Sequence, residues 1–168
     1  LKEILKCIDP NICYIQCIDV SVVCIGSTLI SNSSQITLIE CDTKFACLDT
    51  TIEISSSNKV SILCNKDSSC KESIININNA TDVLLECIEL ESCMELYLNI
   101  TKSNNINIRC YAINSCKSIR IFSDINDIKL DFFNYNEDVK ISVPSKYNIS
   151  KHLDCNPNDA YLSLDGST

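Results

Sequence analysis

Residues 60–77 read VSILCNKDSSCKESIINI. Two cysteines, Cys64 and Cys70, are separated by five residues and flanked on both sides by apolar residues at every second position. The same frame returns before and after it. Cys41, Cys64, Cys87 and Cys110 lie 23 residues apart, and Cys47, Cys70, Cys93 and Cys116 each follow six residues later. An unbroken C-x5-C beat of this length marks a solenoid, in which each repeat buries its apolar face only against the repeats above and below it.

The residues four and two positions before each first cysteine are Thr37 and Ile39, Val60 and Ile62, Val83 and Leu85, Ile106 and Ile108. This period of two denotes a strand with one buried face, and the first cysteine falls in phase with it. The third, fifth and seventh residues after each second cysteine repeat the alternation: Thr50, Ile52, Ile54; Ser73, Ile75, Ile77; Leu96, Leu98, Ile100; Ile119, Ile121, Ser123. Between the strands lie Asn, Ser, Asp and Lys, as at 55–59, 78–82 and 102–105, which predict turns made by local side-chain hydrogen bonds. With two glycines in the chain, asparagine is expected at left-handed turn positions. A helical repeat fails because no i, i+3, i+4 continuation extends over ten residues.

The expected fold is therefore all-β: a single-stranded parallel β-helix, or β-solenoid, of 23-residue coils, each with a C-x5-C disulfide corner. The helix is expected over 1–143, with an N-terminal cap coil at 1–14, regular coils at 15–127 and a C-terminal capping coil at 128–143. In that last coil Phe132 takes the place of a cysteine. Cys17 and Cys24 carry one extra intervening residue, expected as a bulge at a corner. Pro144 ends the pattern, and 144–168 reads as an extended tail.

The chain has 168 residues, a net charge of −8 and thirteen cysteines. That cysteine density predicts a disulfide framework formed in an oxidising compartment and a secreted, extracellular location. Zinc is not expected: the spacing is five rather than two or four, and the single histidine, His152, stands outside the repeat. No apolar run is long enough to span a membrane. The acidic balance without a basic patch argues against nucleic acid. The absence of a starting Met is expected to reflect a removed signal sequence or a longer parent chain.

Candidate disulfide residues are Cys7, Cys13, Cys17, Cys24, Cys41, Cys47, Cys64, Cys70, Cys87, Cys93, Cys110 and Cys116. Closure within each C-x5-C pair is expected; stacked cysteines of successive coils, about 4.8 Å apart, offer the competing connectivity. Cys155 is left over, a candidate for a bond between subunits. Asn32, Asn79, Asn99 and Asn148 each begin an N-x-S/T sequon, and N-linked glycans are the expected partners there. Glu40, Glu86 and Arg109 hold equivalent positions before a first cysteine and are expected to stack as a solvated charge column, not a catalytic site. No catalytic constellation and no cofactor are expected. Thr50, Thr51, Thr81 and Thr101 do not share one outward column, so an ice-binding threonine ladder is not expected either.

The pattern V-x-I-x-C-x5-C-x2-S-x-I-x-I resembles the cysteine-rich right-handed parallel β-helix repeats of surface and secreted proteins in microbial eukaryotes, a likeness covering about residues 15–123. The resemblance implies the fold and a surface or secreted setting; β-helices serve as lyases, adhesins and fibres alike, and this chain departs from the pectate-lyase-like enzymes in lacking a matching catalytic constellation. The leading expectation is a secreted, glycosylated structural protein that assembles end to end with copies of itself into a fibre or coat. The rivals are a carbohydrate-binding adhesin module and a polysaccharide-active enzyme, which a groove with aromatic residues and a close carboxylate pair, respectively, would favour.

Overall fold

The computed structural model describes residues 3–18, 24–32, 35–124, 128–132, 138–142 and 161–164. They form a parallel β-solenoid with two strand stacks. One stack, called sheet A here, consists of β2 (Ile12–Cys17), β4 (Ile36–Cys41), the second half of β5 (Thr51–Cys64), the second half of β6 (Ile74–Cys87), β8 (Asn105–Cys110) and β10 (Ile128–Phe132). The other, sheet B, runs β1 (Ile4–Cys7), β3 (Thr28–Asn32), the first halves of β5 and β6, β7 (Tyr97–Thr101), β9 (Arg120–Ser123), β11 (Asp138–Ser142) and β12 (Tyr161–Leu164). Eight parallel layers at the usual strand spacing give sheet B a height of roughly 34 Å.

Register follows the cysteine ruler. Cys17, Cys41, Cys64, Cys87 and Cys110 are successive partners in one ladder, so identical phases stack and apolar residues fill the interior. Ile39, Ile62, Leu85 and Ile108 line one wall, and Ile52, Ile75, Leu98 and Ile121 the other, all buried. Each such side chain contributes about 1.5–3 kcal/mol by leaving water. The third position after the second cysteine is inward but starts polar. Thr50 Oγ1 donates to the carbonyl of Cys24, and Ser73 Oγ to that of Cys47, one coil back. In the next two coils Leu96 and Ile119 fill the same place with hydrocarbon.

The disulfides close within coils: Cys17–Cys24, Cys41–Cys47, Cys64–Cys70, Cys87–Cys93 and Cys110–Cys116. Cys7–Cys13 is also closed but occupies a different corner. Cys7 aligns with Ser31 and Cys13 with Thr37, at the bend where sheet B returns to sheet A. One coil on, the same place holds a buried hydrogen bond between Ser31 Oγ and Thr37 Oγ1 at 2.8 Å; farther on it holds Ile54 and Val60. The bulge expected between Cys17 and Cys24 and the residues of the tail before Tyr161 lie outside the described residues. Of that tail, Tyr161–Leu164 forms β12 and pairs in parallel with the chain's own β11.

Two expectations about turns need correction. Residues 55–59 and 78–82 are not loops: β5 and β6 run through the bend, with Ser57 paired to Ala80. The bend is made by a single left-handed residue, Ser56 or Asn79. Nor does asparagine dominate those positions, since of the eleven non-glycine residues with positive φ among the described residues only Asn79 and Asn114 are asparagine. The left-handed residues recur on the 23-residue beat instead: Phe45, Ser68, Glu91 and Asn114 four places after the first cysteine, and Asp49, Glu72, Glu95 and Ser118 two places after the second.

Backbone hydrogen bonding explains this. Cys47, Cys70 and Cys93 donate to the carbonyls of Ser69, Ser92 and Ser115 on the next coil, and Asp49, Glu72 and Glu95 to those of Lys71, Met94 and Lys117. The corner stays in the ladder only with alternate N–H groups aimed along the axis, and leaving them unpaired would cost more than the strain of about 1–2 kcal/mol per residue. At exposed Glu72, valine is therefore expected to lower stability by about 1–2 kcal/mol. Glycine there is expected to be neutral or stabilising by less than about 1 kcal/mol, because the relieved strain offsets its unfolded-state freedom. Denaturant titration of both variants checks this.

Candidate functional site

The expected charge column exists on the outer face of sheet A. Ladder register stacks Gln16, Glu40, Leu63, Glu86, Arg109 and Asp131, and Leu63 divides it into two groups. In the upper group Arg109 Nη1 donates to Glu86 Oε1 at 3.1 Å, and its Nε faces Asp131 Oδ2 at 3.8 Å, which Lys129 Nζ approaches to 3.0 Å. Tyr111 OH donates to the same Glu86 oxygen at 2.9 Å. In the lower group Glu40 Oε2 accepts from Tyr14 OH at 2.5 Å and Gln16 Nε2 at 3.0 Å. The corners carry parallel ion pairs between coils: Lys44 with Asp67, Lys66 with Glu89 and Lys71 with Glu91.

Tyr14, Tyr111 and Asp131 were not expected in this column. Tyr111 follows a first cysteine, just past the strand, and only stacking of the corners brings its ring over Glu86. Burial pushes its phenol above the ordinary tyrosine value, and the hydrogen bond to Glu86 pushes it further, with Arg109 opposing. A raised folded-state value means that the stabilisation is complete below the free phenol's pKa near 10 and is lost as pH rises through the higher folded value. Tyr14 is raised likewise, chiefly by its hydrogen bond to Glu40, so a late-ionising component is expected in an ultraviolet titration, reduced by Tyr111→Phe and reduced further when Tyr14→Phe is added. The half-open setting of Tyr111 keeps its stability change under about 1 kcal/mol.

Beside the column lies a groove of about 440 Å³, lined among others by Lys59, Asp82, Asn105, Asn107, Arg109 and Lys129. Asn105 Nδ2 donates to Asp82 Oδ1 at 2.8 Å, while the Oδ1 of Asn107 is buried without a partner. Among the described residues, none that line it is aromatic. A glycosidase needs one carboxyl held protonated opposite another. Here Glu86 accepts from a guanidinium and a phenol, and Asp131 is engaged by the same Arg109 and by Lys129. The arrangement ties coils together.

Two sulfur triads, Cys17 with Cys41 and Cys47, and Cys87 with Cys110 and Cys116, lie within 4.8 Å. All belong to disulfides stacked on neighbouring coils, so they offer no thiolate to a metal. These disulfides are those of a chain matured outside a reducing cytosol. No helix among the described residues is long and apolar enough to cross a membrane.

Of the sequons, Asn32 is exposed at the end of β3, and Asn79 is exposed at a left-handed corner inside β6. Asn99 faces outward between buried Leu98 and Ile100 and is itself half-buried. Asn148 and Cys155 lie outside the described residues.

An unexpected surface appears at the N-terminal end. Ile4, Ile8, Ile12 and Ile18 are all more than half exposed, Ile8 reaching 76% and Ile4 62%, with Tyr14 beside them. Their signal in the sequence is apolar residues out of phase with the inward alternation. Comparison with protein families, with curated proteins and with solved structures finds no match for this chain.

Proposed function

We propose that this chain is a secreted, N-glycosylated structural protein of the cysteine-rich parallel β-helix kind, whose copies stack end to end into an extracellular fibre or coat. The observation that supports this most is the N-terminal coil. Among the described residues β1 and β2 each pair on one side only, with β3 and β4, and the surface around their free edges carries the exposed isoleucines. Strand edges that must stay single are normally blunted by charge, proline or a bulge. Here β2 carries neither charge nor proline and β1 only Lys6, with Asp9 and Pro10 confined to the bend between the two strands.

At the other end β10 and β12 likewise pair on one side only among the described residues. Sheet B reaches two layers beyond β10, so β12 is the outermost strand, and docking β1 of one copy on β12 of the next continues the stack of sheet B. Each half-exposed isoleucine covered by the contact contributes about 1–2 kcal/mol, against an association cost of about 4–15 kcal/mol. Backbone pairing of β1 with β12 supplies the rest. Such a contact is heterologous and does not close, so it propagates as a filament.

The test is the double substitution Ile4→Lys and Ile12→Lys, which leaves the buried wall untouched. Filaments of the unaltered 168-residue chain are expected by electron microscopy and light scattering, and monomers of the variant. An unaltered chain that stays monomeric at high concentration would overturn the fibre reading. The groove beside Arg109, with its three cations and two amides, would then favour a binding module for acidic saccharides.

A further inference from the structure

The outer face of sheet B carries a second apolar surface, away from β1 and β2. Ile74, Tyr97 and Phe122 are 43, 41 and 42% exposed. Register sets Ile74, Tyr97 and exposed Arg120 in one outward column, and Asn76, Asn99 and Phe122 in the next. Asn99 therefore has Tyr97 two residues before it on the same face of β7 and Phe122 directly alongside on the following coil. The residue flanked by these two rings begins the sequon Asn99-Ile100-Thr101.

The amide is set up in an informative way. Its Nδ2 donates to Asn76 Oδ1 at 3.4 Å, and its Oδ1 is buried without a partner. A primary amide has two N–H bonds, and N-glycosylation replaces one of them. The other remains available to Asn76, so the observed contact survives the modification.

We propose that the occupant of this face is the N-linked glycan of Asn99, its first pyranose lying over Tyr97 and Phe122. The inference rests on the secreted, glycosylated reading above. In the transfer, the bond between the sugar's anomeric carbon and a lipid-linked diphosphate breaks and a bond from that carbon to Asn99 Nδ2 forms. The lipid diphosphate leaves, and the displaced amide proton passes to a base of the transferase. A pyranose has a face of C–H bonds and a rim of hydroxyls. The first covers the rings and the second meets water, which removes an exposed apolar patch of the kind that drives association. The competing occupant is a second copy packed face to face, and the two exclude each other, because a glycan at Asn99 stands in the middle of that contact.

The full chain, carrying Ile4→Lys and Ile12→Lys so that end stacking does not contribute, is secreted from a eukaryotic host and mapped by glycopeptide mass spectrometry. Asn99 is expected to be modified, to remain so in Thr101→Ser, and to lose the glycan in Thr101→Ala. Thr101 Oγ1 makes only an exposed hydrogen bond to Asn78, so that substitution leaves the fold in place. The Thr101→Ala protein is expected to bind an apolar dye and to shift in light scattering from monomer to larger species. Adding Tyr97→Ser and Phe122→Ser to it is expected to reverse both effects. A glycan on Asn32, Asn79 or Asn148 with none on Asn99 overturns this inference alone, as does unchanged dye binding in Thr101→Ala. Absence of glycan from all four asparagines overturns the glycosylated reading with it.

Discussion

Replacing Cys64 and Cys70 together by alanine is expected to destabilise the chain by about 3–4 kcal/mol, measured by denaturant titration followed by circular dichroism. About 2 kcal/mol of this is the freedom the unfolded chain regains when a short loop is no longer closed. The remainder comes from the space two buried sulfurs leave, both being fully shielded from solvent in the centre of the stack. Alanine is the informative substitute, since serine would place two more hydroxyls where Ser69 Oγ already lies buried without a partner. The position within the stack decides the form of the loss. Each coil is stabilised mainly by its two neighbours, so weakening a middle coil is expected to split unfolding into separate transitions and to lower the apparent m-value. The same change at Cys7 and Cys13 removes a bridge at one end and is expected to fray the first coil while the remainder melts as before. A single, sharp, unshifted transition in the Cys64/Cys70 variant would mean that the disulfides contribute little beyond the apolar stack.

A comparable effect is expected from one core side chain and not from its neighbour. Leu85→Ala is expected to cost about 3–4 kcal/mol, because Leu85 is fully buried between Ile62 and Ile108 and coils stacked by backbone hydrogen bonds cannot close over the cavity. Leu84→Ala, one residue earlier and on the outer face, is expected to cost less than about 1 kcal/mol. The ratio tests the phase of the strand directly, since a slip of one residue would exchange the two values. Equal losses at the two positions would contradict the register in which Leu85 aligns with Ile62 and Ile108.

The ruler that sets Cys64 and Cys87 as partners is written in the chain, and so is the alternation that turns Ile62 and Ile75 inward. In a solenoid the neighbour of any residue is the one a period away, so the spacing that appears along the sequence is also the spacing in space. That is why the coil, its buried walls, the closure of Cys64 on Cys70 and the column of Glu86 and Arg109 were legible. Cys7 and Cys13 share that spacing, yet only their alignment with Ser31 and Thr37 reveals that they bridge the opposite corner. Phe45 and Glu72 have no preference for a left-handed backbone, and Ser56 bends a strand without interrupting it. These conformations are imposed by hydrogen bonds to the coil above, which outweigh the preferences of the side chains. Tyr111 over Glu86, and Tyr97 and Phe122 around Asn99, arise because residues from different coils meet on an outer face. There the sequence is free of the periodic constraint that burial imposes, and only the stacked structure decides which side chains become neighbours.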